Sequence, residues 1–92
     1  MKEQPEITTR TRFPLGEIRI ARSAQRRVQS RDVETALRRH AQGDWGQVSP
    51  EEWARNEQSL VHGHRLLSQY RAHSGYAFWV ITDYDRRSTI VF

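Results

Sequence analysis

The sequence predicts an α+β domain: a two-helix layer packed on a small, mainly antiparallel sheet, in the order β-α-α-β-β-β. Three observations lead there. Apolar residues recur at helical spacing at Val33, Ala36, Leu37, His40 and Ala41. A second segment opens with the helix-start signature Ser49-Pro50-Glu51-Glu52. Strand-like alternation precedes these segments once and follows them in the last third of the chain. With 92 residues, the chain is one domain with one modest core.

Residues 1–12 are polar, contain Pro5 and lack periodicity, which predicts a disordered basic arm ahead of a single domain over residues 13–92. Residues 15–22 set Ile18 and Ile20 against Glu17 and Arg19, the pattern of a half-buried strand. Ser23 is placed to cap a short helical turn reaching Val28. Ser30 is placed to cap the first full helix, with Asp32 in a first turn that favours acid and Gly43 as its left-handed stop. The second helix runs from the capping box at Ser49 to about His62, with Trp53, Leu60 and Val61 expected toward the core and Gly63 ending it. Residues 65–72 then lead into a turn at His73-Ser74-Gly75. Residues 76–82 place Phe78 and Val80 on one face and Trp79 and Ile81 on the other, and residues 83–87 turn into a last strand, 88–92. A strand apolar on both faces needs cover on both, and two helices cover one. The other face is left for the N-terminal segment, a second copy or a partner.

Composition narrows function by exclusion. There is no cysteine, so disulfides, Cys-ligated zinc, iron–sulfur clusters and a thiol nucleophile are out. No apolar run reaches membrane-spanning length and the first residues are too polar for a signal peptide, so a cytoplasmic protein without a membrane partner is expected. Net charge is +4, and Lys2 is the sole lysine beside fourteen arginines. Residues 10–39 hold nine arginines against Glu17, Asp32 and Glu34. Residues 40–64 hold only Arg55 against Asp44, Glu51, Glu52 and Glu57. The guanidinium fork matches phosphate geometry and stays charged. Arg10, Arg12, Arg22, Arg26, Arg27, Arg31, Arg38 and Arg39 are therefore the candidate nucleic-acid contacts, and an acidic host protein is the other partner such a surface suits.

Three segments, RHAQGDWG (39–46), GHRLLSQY (63–70) and WVITDYDR (79–86), resemble the elements "RHxxGDWG", "GxRLLSxY" and "WIITExDRS" of a family of small proteins from plasmids, phages and other bacterial mobile elements. The resemblance runs from about Phe13 to Val91 and implies a mobile-element setting without implying a chemistry. The family's acidic "LLPEEY" tail does not follow the last strand here, and Arg87 is an added arginine in the turn. The element order, size and basicity also resemble the RelE/ParE-like toxins, whose "GxRLxY" strand is similar to residues 63–67. That likeness implies a ribonuclease alternative with Arg65, Tyr70, Arg71, Tyr84, Arg86 and Arg87 as candidates.

The remaining constellations have simpler readings. Gly43-Asp44-Trp45-Gly46 is a turn that anchors Trp45 in the core, as Trp53 and Trp79 are also taken to be structural. His62-Gly63-His64, even with His73 and Asp83, lacks the spacing of a metal site, so no metal and no cofactor is assigned. Asp83-Tyr84-Asp85-Arg86-Arg87 reads as a tight turn, or in the enzymatic alternative as a phosphate grip with Asp85 as base. The expectation is a non-enzymatic interaction module, with a ribonuclease and a structural homodimer subunit as the alternatives.

Overall fold

The computed structural model describes residues 10–92, so the expected arm lies outside the described residues over 1–9. The chain runs β1 (Glu17–Ile20), α1 (Arg22–Arg27), α2 (Ser30–Ala41), α3 (Pro50–His62), β2 (Leu66–Arg71), β3 (Ala77–Thr82) and β4 (Ser88–Val91). The sheet has the order β1-β4-β3-β2; β1 runs parallel to β4, and the other two pairings are antiparallel. The α+β architecture is the expected one. The helices carry the chain from one sheet edge, β1, to the other, β2, and cover one face.

Several local expectations change. The turn expected over residues 23–28 is a short helix in its own right, α1, held by Gln25 N–H to Ala21 O and Val28 N–H to Ala24 O. Ala21, not Ser23, occupies its cap position, and Gln29 rather than Ser30 is the cap of α2; neither cap makes a side-chain bond. Ser30 is drawn into the helix because the extended link at Val28 and Gln29 already turns the chain there. At α3 the signature holds in full: Ser49 Oγ accepts from Glu52 N–H, and Glu52 accepts from Ser49 N–H.

The inner face of α3 departs most from expectation. Asn56 and Ser59 are buried and Leu60 packs on the core, while Trp53 is 37% and Val61 78% exposed. The reason lies in where α3 sits. It packs against the edge strand β2, whose outward backbone groups need partners more than apolar cover. Asn56 supplies them: its Nδ2 donates to Leu67 O at 2.7 Å and its Oδ1 accepts from Leu67 N–H at 3.1 Å. The loop after α2 seals the same edge two residues on. Gln69 N–H donates to Trp45 O, and Gln47 N–H donates to Gln69 O. Gly46 makes that approach sterically feasible, since a Cβ there would lie 2.0 Å from Gln69 O and its φ is +77°.

Between helices and sheet, Ala24, Val28, Val33 and Ala36 meet Phe78, Val80 and Val91 in the main core. A second cluster joins Phe13, Trp45 and Leu66. Trp45 is fully buried, as expected, and its indole N–H donates to Glu57 Oε2 at 3.0 Å. No described helix is long and apolar enough to cross a membrane.

Candidate nucleic-acid interface

The arginines expected to contact nucleic acid fall into two classes. Arg12 and Arg39 are committed to the fold. Arg12 N–H donates to Ala41 O, and its guanidinium makes two bonds to Glu57, at 2.8 and 2.9 Å, which hold the Glu57 carboxyl below its usual range. Arg12, expected in the arm, is thus fixed to the domain. Arg39 pairs with Asp44 at 2.8 Å and lies 4.7 Å over the Tyr70 ring; the bond to Arg39 lowers the Asp44 carboxyl and fixes the loop that carries Trp45. The other six, Arg10, Arg22, Arg26, Arg27, Arg31 and Arg38, are exposed and make no ion pair among the described residues. Arg27 rests 5.4 Å over Tyr76.

Five of these six lie on α1 and α2. Arg31 and Arg38, seven residues apart, share the outer face of α2, opposite the buried Val33, Ala36 and His40. Arg22 and Arg26, four apart, share a face of α1. The acid nearest Arg31 does not neutralise it by direct pairing. Asp32 accepts from His73 N–H at 3.1 Å and from His73 Nδ1 at 2.6 Å, and the backbone bond most strongly holds its carboxyl below the usual range.

The six candidates of the ribonuclease alternative fall into two groups: Arg65, Tyr84, Arg86 and Arg87 lie around the β3–β4 turn, and Tyr70 and Arg71 lie at the other end of β2. Tyr70 is buried, its hydroxyl donates to Asp44 O at 2.6 Å, and burial pushes its pKa upward. Arg86 sits in the β3–β4 turn at φ +62° and donates to the carbonyls of Ser59, His64, Asp83 and Tyr84. It ties the turn to the end of α3 through Ser59 O, which also accepts from Gly63 N–H and His64 N–H, and through His64 O just beyond the helix. Arg65, Arg71, Tyr84 and Arg87 are exposed. Arg65 precedes β2 and Arg71 is its last residue, so the strand's other five residues separate them. The sharp turn expected at residues 83–87 is present: Arg86 N–H donates to Asp83 O, and Arg87 N–H to Asp85 Oδ1.

A buried polar chain runs through the core without reaching the surface arginines. His40 Nδ1 lies 2.6 Å from Ser68 Oγ, and His40 Nε2 lies 2.8 Å from Thr82 Oγ1. Thr82 Oγ1 is 2.7 Å from Thr89 Oγ1, which donates to Leu15 O. That last carbonyl only accepts, and it fixes every proton upstream. Thr89 must accept from Thr82, Thr82 from His40 Nε2–H, and His40 Nδ1 from Ser68. His40 is thus the neutral Nε2–H tautomer, and burial, aided by the charge of Arg86, depresses its pKa to about 3. It is a structural histidine. His62 and His64 stand 6.4 Å apart at the end of α3, and no group of three ligating side chains gathers among the described residues.

The second sheet face has no cover among the described residues. Its cross-strand rows read Arg19-Ile90-Ile81-Leu67 and Phe92-Trp79-Gln69, with Ala77-Arg71 beyond. Trp79 and Phe92 lie nearly parallel, 6.1 Å between ring centres at 18°, and Ile90 and Phe92 are 38% and 40% exposed. Arg19 and Phe92 were not among the residues singled out from sequence. The signal that finds them is strand alternation carried through β1 and β4 together, which requires knowing that the two strands are neighbours. No protein-family model, curated protein or solved structure matches this chain.

Proposed function

We propose that this chain is a cytoplasmic nucleic-acid-binding module whose helical arginines, Arg22, Arg26, Arg31 and Arg38, grip the phosphate backbone. One observation carries the reading. The structure spends its structural arginines on identifiable partners, Arg12 on Glu57, Arg39 on Asp44 and Arg86 on four carbonyls, and leaves a run of guanidiniums on α1 and α2 with no ion pair among the described residues. Unpaired cations gathered on one layer repel one another and are useful when a polyanion neutralises them. The resemblance to mobile-element proteins is compatible with such a role. Binding is favoured over cleavage because Tyr70 and Arg86, two of the six ribonuclease candidates, are engaged in holding the fold together.

The test is fluorescence anisotropy with labelled RNA and DNA across a salt series. Affinity should fall steeply with salt, and Arg22→Ala combined with Arg26→Ala should flatten the slope of log K against log salt by about 1.4–1.8, according to strandedness. Binding that does not respond to salt, or an unchanged slope in the double variant, refutes the proposal.

A further inference from the structure

We infer that the uncovered sheet face is a stacking platform for the bases of a single-stranded nucleic acid. The inference rests on the nucleic-acid reading above and adds the class of ligand and the surface that reads it. Trp79 and Phe92 occupy one row of the face and stack parallel, so each ring keeps one side turned away from the other. A base laid on that free side extends the stack, and every base has a π-face to offer. Exposed guanidiniums stand at the margin of the rings: Arg65 before β2, Arg71 at its end, bonded to Gln47 Oε1 and Gly75 O, and Arg19 on β1, 3.6 Å from Glu17 of the same strand. Two clefts open beside Arg65 and Ile81: one of about 140 Å³ that Asp83 also lines, and one of about 220 Å³ between the sheet and α3 that Glu52 and Arg55 also line. Aromatic rings in the middle with cations at the margin complement a strand whose bases are apolar on their faces and whose backbone is anionic.

Size argues against a second copy as the occupant. Four strands of four to six residues make a face about 19 Å across and about 17 Å long, on the order of 300 Å². A stable protein interface takes about 800 Å² from each partner. Flexibility argues against a duplex. The helical arginines belong to the opposite layer, and a ligand reaching both them and the rings must turn over the β1 edge, where Arg22 follows Ile20 after one residue. A single strand makes that turn; duplex DNA is stiff over about 150 base pairs.

The experiment is anisotropy with labelled oligothymidylate, oligouridylate and a duplex of the same length, on wild type and on Trp79→Ala combined with Phe92→Ala. Single strands should bind more tightly than the duplex. The double variant should lose at least about fivefold in affinity per ring while keeping the wild-type salt slope. Should the double variant not fold, Trp53→Phe leaves Trp79 as the solvent-reached indole beside the fully buried Trp45, and its emission must quench on titration with oligothymidylate. Unquenched emission at saturation overturns the inference. So does a folded double variant that binds like wild type, an outcome that leaves the phosphate-binding reading intact. Absence of binding to any of the three probes overturns both. A dimer in sedimentation that the double variant abolishes assigns the face to a second copy and overturns the inference as well.

Discussion

Replacing His40 by glutamine should remove the protein's loss of stability between pH 7.5 and 5. His40 is fully buried and neutral, with its pKa depressed to about 3. In the unfolded chain it returns to about 6.5. Between those values the unfolded state binds a proton that the folded state refuses, so stability is complete above the unfolded pKa and declines as pH falls below it. At pH 5, about 1.5 below the unfolded value, this difference in proton binding is worth about 2 kcal/mol. For a domain of this size that is about 8–16 °C in Tm. The carboxylates held low by partners, Asp32, Asp44 and Glu57, contribute stability that fades as pH falls through their lower range, beneath this window. The glutamine amide in the His40→Gln variant has a donor for Thr82 but no titrating group. The assay is urea unfolding at pH 7.5, 6.5, 5.75 and 5, comparing slopes rather than baselines, because the variant also gives up ring contacts with Phe13 and Trp45. Wild type and variant losing stability in parallel across the window would refute the depressed pKa of His40.

Other substitutions test the frame around the site. Glu57→Ala should cost about 1–3 kcal/mol by thermal melting, chiefly because the buried indole N–H of Trp45 loses its acceptor, and Glu57→Gln should recover most of that by keeping an oxygen. Gly46→Ala should cost more than Gly63→Ala. Both positions have positive φ, but only Gly46 brings a Cβ against backbone, at Gln69 O, whereas the space beside Gly63 is open; similar melting temperatures for the two variants would sink this account of the sealed edge. Arg86→Ala should destabilise the fold by about 1–3 kcal/mol through loss of the guanidinium bonds that join the β3–β4 turn to the end of α3, while Arg87→Ala stays within about 0.5 kcal/mol. Any activity lost with Arg86 therefore has to be judged on protein shown to be folded.

Local signals with a single geometric solution were legible in the sequence. Ser49, Pro50 and Glu52 produce the α3 start because capping involves only residues within one turn. Gly43 and Gly63 mark helix ends for the same reason. The alternation of Phe78 and Val80 against Trp79 and Ile81 was equally plain. What remained hidden depends on which strand lies at an edge. Trp53 and Val61 look like inner-face residues if α3 covers the middle of a sheet; over the edge strand β2 the inner face needs an amide, and Asn56 takes it. The committed arginines were hidden too, since the partners of Arg12 and Arg86 lie 45 and 27 residues away. Composition counted fourteen equivalent cations where the fold has two kinds.

The two edges of the sheet explain why those kinds matter together. At β2, Asn56 and the Trp45–Gln47 loop occupy the outward backbone groups of Leu67 and Gln69, so that edge is closed to another strand. At β1 no described strand lies beyond. Four residues long and bearing Glu17 and Arg19, β1 is too short and too charged to invite strand pairing. It nevertheless leaves a continuous surface from Arg19 on the open face to Arg22 at the start of α1. A chain that crosses there meets no covering element, and it passes from a face that presents aromatic rings to a layer that presents unpaired guanidiniums. An arginine substituted at this corner, Arg19→Ala or Arg22→Ala, should therefore weaken single-strand binding more than Arg38→Ala near the far end of α2, although each removes one charge. Equal losses at all three positions would reduce the interface to a diffuse electrostatic cloud, with no path over the β1 edge.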